Sequence, residues 1–530
     1  MRWNGWGDPA RAKELPFSLR SVLTLMLGRI HSPASAPTLA EVEIADSALD
    51  DEDAAALAEI VGADNVLRDH DARVLHAGGR STIDLMHRRQ ARQEVPDAVV
   101  RPGSHDEVAA CLRAAAERGL AVIPFGGGTS VVGALNPERG GHRAVLSLDL
   151  SRLSGLVRCD EVSGEATLLA GTLGPEAERL LGEYGFELGH FPQSFRYASI
   201  GGFAAARSSG QNSAGYGRFD AMVTGLRVAT PTGDLDLGRS PGSAAGPDLV
   251  RVFLGSEGIF GVITEVRVRV HPVPTERILE SWSFPDFAAG AAGLRAVAQT
   301  GTGATVIRLS DEAETAVSLA QVGKIGKALS KGASAVTVFE GEDAAHRRER
   351  TAAVLRAAGG VSSGAGGAEG WQEGRFDGPY LRDTLLDAGV FCETLETATT
   401  WSQLPALRDA VTAALREGFR AAGAKSYIMC HISHIYPTGA SLYFTVISTL
   451  RDTQWPAVWA EVKAAANDAI LVTGGTISHH HAVGRDHAPW LAEEIGPTGM
   501  RILTAIKREL DPSGILNPGA VIGAEQSNDD

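Results

Sequence analysis

PFGGGTSVVGA, residues 124–134, decides how this chain reads. An apolar run, Leu120-Ala121-Val122-Ile123, precedes it and reads as a short buried strand. Gly126, Gly127 and Gly128 then strip the turn of side chains. Glycine accepts positive φ and lets backbone N–H groups approach a ligand closely. Successive N–H groups in such a turn form an anion-binding concavity. Thr129 and Ser130 add hydroxyl donors. The stretch lacks the lysine of GxxxxGK[ST], and it is not a G-x-G-x-x-G opening a helix. A plain glycine-rich turn is the bland reading; a main-chain cradle for a diphosphate is the sharper one.

Upstream, SHDEVAACLRAAAERG (104–119) reads as a helix. Ser104 is its N-cap, Glu107 completes a capping box, and Gly119 closes it. PDAVVRP (96–102) reads as a strand bounded by prolines. Strand, helix, strand and glycine turn make a β-α-β unit with its anion site at the second strand's end. Further strands are expected at 145–150 and 166–170, and a helix at 175–184. A second informative stretch, GHFPQSFRYASIGGFAAARSSGQNSAGYGRFDAMV (189–223), gathers small residues around Gly201-Gly202. Such a run suits close contact with a large flat ligand, and a strand at 223–230 follows it. The third stretch, FLGSEGIFGVITEVRVRVHP (253–272), has a turn between Gly258 and Gly261. A strand with a period of two follows at 263–270.

A chain of 530 residues is too long for one core. Its net charge of −15, from 49 basic and 64 acidic residues, argues against nucleic acid as a partner. The four cysteines, Cys111, Cys159, Cys392 and Cys430, form no CxxC pair and read as reduced thiols. No apolar run reaches the roughly 18–20 residues of a membrane span. MRWNGWGDPAR lacks the layout of a signal peptide, so a cytoplasmic location is expected.

Residues 1–92 mix coil with helices at 19–27 and 50–61, the first a packed helix or a shallow membrane contact. PVPTER (272–277) reads as a hinge into a second domain. That domain is expected to hold helices at 286–300, 311–329 and 344–358 and a strand at 335–339. GGVSSGAGGAEGWQEG (359–374), with seven glycines, reads as a flexible loop. Chemistry is sought in this domain. SHHHAVG (478–484) places His479, His480 and His481 after a glycine turn, as proton carriers or as an exposed polar loop. Tyr443, in a strand, is a general acid or core. Arg308 and Arg382, read as arginines in apolar strands, pair a carboxylate or clamp a substrate anion.

In order and spacing, PFGGGTS, FPQSFRYASIGGF and GSEGIFGVITE resemble the vanillyl-alcohol oxidase type of FAD-binding flavoprotein. The resemblance implies an α+β fold: a two-lobed FAD-binding domain of that type plus an α+β cap domain with an antiparallel sheet. The implied divisions are an N-terminal segment at 1–92, an FAD-binding domain at 93–275, a cap at 276–504 and a returning segment at 505–530, where LDPSGILNPG resembles the return. It implies FAD contacts at Pro124, Phe125, Gly126, Gly127, Gly128, Thr129, Ser130 and Val131. A second group is Pro192, Gln193, Ser194, Ser199, Gly201, Gly202, Ser208, Ser209 and Gly210. A third is Glu257, Gly258, Ile259, Gly261, Val262 and Ile263. Relatives that tether the flavin use a histidine in the first loop; here there is none, so FAD is expected to be non-covalent.

Two branches of this class differ in the cap. The 2-hydroxy-acid dehydrogenase branch resembles HxGDGNxH followed by EHGxG, whose histidines and glutamate hold a metal. Here His434 takes the first histidine's place, Tyr443 the second's and His480 the glutamate's, so no metal is expected. RWNGWGDP, RLSDE, PYLRD, CETLETATTW, TGASLYF and SHHHAVGRDHAPWL instead resemble the alkyldihydroxyacetonephosphate synthase branch. Gln193 and Ser199 depart from that pattern, which has an acidic residue and threonine there. The resemblance implies exchange of the acyl chain of acyl-dihydroxyacetone phosphate for a fatty alcohol, without net redox. It casts His480 and His481 as proton carriers with His479 in the same catalytic group, Tyr443 as an assisting acid, and Arg382 and Arg308 as phosphate-orienting groups. It also implies a lipid-like substrate, peripheral contact at the inner membrane face, and leaves a homodimer open. The alternative is an FAD-linked oxidase or dehydrogenase of a 2-hydroxy acid or alcohol.

Overall fold

The computed structural model describes residues 1–523 except 13, 16, 31, 32, 34, 322–331 and 450–454. Helix α1 (Phe17–Leu27) buries Leu23 and Leu27 against Leu385 and Val390, while Leu25 is 85% exposed. Helix α2 (Asp51–Val61) is capped by Asp50. The first sheet comprises β1 (Val66–Leu67), β2 (Ala98–Val100), β3 (Leu120–Phe125) and β4 (Ala144–Asp149), in the order β1-β2-β4-β3. Helix α3 (His105–Arg118) joins β2 to β3, and β4 slots between those two strands in parallel with both. The Ser104 hydroxyl caps α3 at Glu107 N, but the Glu107 carboxylate bonds Gly103 N (2.7 Å), one residue short of a closed capping box.

A second, fully antiparallel sheet follows. It contains β5 (Leu156–Asp160), β6 (Glu165–Leu169), β7 (Val223–Thr230), β8 (Gly233–Leu237) and β9 (Val262–Arg269), in the order β8-β7-β9-β6-β5. Helices α4 (Gly174–Gly182) and α5 (Ile200–Ala205) lie on it. These two sheets are the two lobes of one body.

The cap is a seven-stranded antiparallel sheet. Its strands are β10 (Arg277–Phe284), β11 (Val306–Ser310), β12 (Ala333–Glu340), β13 (Val361–Gly364), β14 (Phe391–Thr400), β15 (Ser426–Ile432) and β16 (Gly439–Ser448). They run in the order β13-β10-β12-β11-β15-β16-β14. Its helices are α6 (Phe287–Thr300), α7 (Glu312–Gln321), α8 (Ala344–Ala357), α9 (Gly366–Gly374), α10 (Gly378–Asp387), α11 (Leu404–Ala421) and α12 (Trp455–Val472). The expected helix at 311–329 is seen to Gln321; the rest lies outside the described residues. Trp282, Phe391, Leu407, Phe419, Phe444 and Trp459 fill the cap core.

Two expectations in the cap are corrected. Residues 359–374 are not a flexible loop: they form β13 and α9. Gly367 serves close packing, since a Cβ there would lie 2.7 Å from Ser281 Oγ, which also accepts from Ala368 N. Arg382 is on helix α10 rather than a strand. After the cap, Ile477, and then Leu491 and Met500 of α13 (Ala488–Leu510), pack with Leu168 and Leu226 of the second sheet and Ile200 of α5. Ile515 O accepts from Val122 N (2.8 Å) and Asn517 N donates to Val122 O (2.9 Å), so residues 515–517 run beside β3. Among the described residues, no helix is long and apolar enough to cross a membrane.

Candidate functional site

The three glycine-bearing stretches meet at the C-terminal end of β3. A Cβ on Gly127 would overlap the Tyr197 carbonyl oxygen, and one on Gly126 the Ser199 hydroxyl. Loops 124–131 and 192–199 therefore touch backbone to backbone, which only glycine permits. A Cβ on Gly258, at φ +82°, would lie 2.7 Å from Pro124 Cγ, so the third stretch leans on the same turn. Gly128 has φ +67°. Among the described residues, the N–H groups of Gly127, Gly128 and Thr129 donate to nothing in the chain, and the buried Ser130 hydroxyl has no partner. Unspent main-chain donors and an orphaned hydroxyl are what a diphosphate requires. The donor set thus fits the phosphates of a dinucleotide.

Other expected contacts divide by what their side chains do. Ser199 caps α5 through Gly202 N (3.2 Å), and Gly201 packs α5 onto Ala170. Gly202, by contrast, is exposed. Pro192 is buried, Gln193 is exposed near Gly378, and the carbonyl of Ser194 turns the loop by accepting from Tyr197 N and Ala198 N. Phe125 is buried against His76, whereas Thr129 and Val131 are half-buried. Ser208 Oγ lies 3.1 Å from His190 Nε2, Ser209 Oγ lies 3.3 Å from His434 Nδ1, and Gly210 packs on Phe191. The side chains of Ile259, Val262 and Ile263 lie in cores, and Gly261 packs on Val228. The Glu257 carboxylate accepts from Val483 N (3.0 Å) and Gly484 N (2.6 Å), so it secures the histidine loop. Burial pushes its pKa up to about 7.

The histidine loop is wrapped around one carboxylate. Glu396, on β14, accepts from Ser478 Oγ (2.9 Å), His479 N (2.8 Å), His480 N (3.0 Å) and His481 N (2.9 Å). Three consecutive N–H groups on one acceptor turn the three rings in different directions. Burial disfavours the Glu396 charge, but His480, at 3.3 Å, and the loop donors hold its pKa well below the usual range. Tyr443 is the cross-strand partner of Glu396. Its ring lies 6.1 Å from that of His480 at 24° and 5.5 Å from that of His481 at 87°. His434 stacks on His479 (5.1 Å, 21°), whose Nε2 is 2.6 Å from Tyr436 Oη. Burial pushes the His434 and His479 pKa values far down and that of His481 to about 3, so these rings are neutral. Burial pushes the Tyr443 phenol up to about 12, so it keeps its proton. Ring nitrogens of His434, His479 and His480 lie within 4.8 Å of one another, a set able to hold a divalent metal.

The arginines are differently placed. Arg308 pairs with Glu314 and sits 3.0 Å from His431 Nδ1, the carboxylate pairing expected of it as an alternative to an anion clamp. Arg382 bonds Asp383 (3.0 Å) and the Arg80 carbonyl (2.5 Å), and Arg80 N donates to Ser130 O beside the glycine turn. Sequence reasoning missed Glu396, His431 and Glu314. A glutamate within a buried strand, as in CETLETATTW, was the available signal for the first.

Comparison with known proteins agrees with this layout. Residues 96–236 match the family described as FAD binding domain, and 273–521 match FAD linked oxidases, C-terminal domain. FAD is therefore the cofactor that the glycine turn fits. The chain is 32% identical over 478 residues to the alkyldihydroxyacetonephosphate synthase of Trypanosoma brucei brucei, covering 86% of this chain and 78% of that one. The Dictyostelium discoideum enzyme of the same name is 33% identical over 473 residues, covering 85% and 77%. A solved alkyldihydroxyacetonephosphate synthase superposes with a TM-score of 0.83 at 28% identity, over 98% of each chain. A p-cresol methylhydroxylase, 17% identical with a TM-score of 0.65 over 90% of this chain and 97% of its own, shares the fold.

Proposed function

The chain belongs to the alkyldihydroxyacetonephosphate synthase family, and from that premise we propose that it exchanges the acyl chain of an acyl-dihydroxyacetone phosphate for a fatty alcohol, with FAD and without net redox. One observation carries the reading: a protonated phenol and several neutral imidazoles converge on a loop locked by Glu396. Bound FAD supplies the reversible electron sink that the exchange needs. The protein's residues handle protons and charge. Of the three adjacent histidines, His480 has a carboxylate against its ring, and Glu396 at 3.3 Å steadies the imidazolium formed when His480 takes the substrate carbon's proton, which it returns to that carbon after the exchange. His479 and His481 pack around it and keep water out. The Tyr443 O–H donates to the departing carboxylate oxygen and is restored from the incoming alcohol. Arg382 carries the phosphate role, because it reaches Arg80 beside the glycine turn. Non-covalent FAD, a cytoplasmic location, membrane contact through α1 and a homodimer belong to the same proposal.

The test is product analysis with palmitoyl-dihydroxyacetone phosphate and hexadecanol. Equal amounts of hexadecyl ether and palmitate, with no electron acceptor consumed, are expected. Tyr443→Phe should lower turnover by roughly 10²–10⁴-fold. Absence of ether, with dye reduction by D-lactate or glycolate, would instead support the dehydrogenase reading. The His434–His479–His480 cluster is what favours that second reading.

A further inference from the structure

Beneath Tyr443 lies an ion-paired imidazole that the proposed reaction leaves unused. Glu396, Tyr443 and His431 occupy one row across β14, β16 and β15, as the register pairs Glu396↔Tyr443 and His431↔Tyr443 show. Residues in one row leave the sheet on the same face. The His431 and Tyr443 rings are stacked, 4.8 Å apart and 16° from parallel. Tyr443 also lies 6.1 Å from His480, 24° from parallel. The phenol is thus near-parallel to two imidazoles.

The lower ring has its own support. His431 Nδ1 lies 3.1 Å from Glu314 Oε2, and Arg308 pairs with the other oxygen of that carboxylate. Both His431 and Glu314 are largely buried. Arg308 is a permanent cation and keeps Glu314 ionised. The same His431 Nδ1 lies 3.0 Å from Arg308 Nη2, so both members of the ion pair bear on one ring nitrogen and hold the plane of the ring. Sheet and ion pair together hold the His431 ring.

We propose that His431, oriented by the Glu314–Arg308 pair, is a positioning residue that fixes the plane of the Tyr443 ring against His480 and so aims the phenol O–H. The chemistry served rests on the functional reading above; the ring geometry does not.

A double-mutant cycle tests it. His431→Ala should lower kcat by roughly 10–30-fold with bound flavin and the KM for the alcohol little changed, and by less than about twofold in a Tyr443→Phe background, where no hydroxyl remains to be aimed. A drop of equal factor in both backgrounds, or none in the first, would overturn the proposal. His431→Asn, which keeps a donor for Glu314 but loses the stack, should show the same non-additivity and serves if the alanine variant fails to fold. A second readout needs no turnover. With 3-fluorotyrosine at all seven tyrosines, the Tyr443 signal, assigned by its loss in Tyr443→Phe, should shift and broaden in His431→Asn. An unmoved signal overturns the positioning role, whereas an unaltered enzyme that makes no ether overturns only the functional reading.

Discussion

The glycine turn at 124–131 and the histidine loop at 478–484 are both short irregular segments at one site, yet they are built in opposite ways. The turn works by what its residues lack. Without side chains, loop 124–131 lies directly on loop 192–199 and leaves main-chain donors unspent. The loop works by what a distant residue supplies: Glu396, more than eighty positions earlier, accepts its N–H groups and decides where each ring points. A site element made of backbone carries its instructions locally. One made of side chains takes them from the sheet it rests on.

Four experiments break or sharpen that contrast. The largest effect is expected from Gly127→Ala, whose new methyl overlaps the Tyr197 carbonyl. Backbone cannot yield as a side chain can, so the purified variant should be colourless, with 450 nm absorbance lost. Retention of bound flavin would show that the turn tolerates side chains after all. Next is Glu396→Ala, which strands three buried N–H groups, at about 1–3 kcal/mol each, and should lower turnover by at least roughly 10³-fold. Glu396→Gln keeps an acceptor oxygen but loses the charge, and should fall short of the alanine variant by about tenfold or more. Equal effects would mean that charge alone matters and that the loop holds its own shape.

The third effect is a pH dependence. Burial lowers the pKa values of His190 and His481 to about 3, and pushes His434, His479 and His487 well below the ordinary 6.5. These rings bind protons when the chain unfolds but not in the fold. Stability should therefore hold above pH 6.5 and fall as pH drops towards 3, by roughly 1.4 kcal/mol per pH unit for each such ring. Thermal melts of the flavin-loaded protein at pH 7, 6 and 5 read this directly; a flat Tm would mean that the rings are charged in the fold. The smallest effect belongs to Ser130→Ala. If its orphaned hydroxyl serves the cofactor, the Kd for FAD should rise about 5–10-fold, the worth of one hydrogen bond. No change would assign the cradle to main chain alone.

The turn, the alternating strands and the Ser104 and Gly119 caps of α3 were legible in sequence, because each depends on spacing within a few residues; the antiparallel cap sheet came from the family resemblance. What was misread or left open shares another cause. GGVSSGAGGAEGWQEG looked flexible, but Gly367 lets a helix lie on Ser281, more than eighty residues away in the chain. Arg308 left a carboxylate partner and an anion clamp open in sequence; the fold pairs it with Glu314, together with His431. A carboxylate partner on another element has no signature in the arginine's own strand.

By itself the sequence determined the cradle, because glycine's freedom and unspent N–H groups are properties of the local chain. It also determined that imidazoles and a phenol are present. Only the tertiary structure decided which of them meet, which stay neutral and which ring Glu396 supports. Ring orientation and proton affinity follow from burial and from partners on other strands, and those exist only once the sheet has formed.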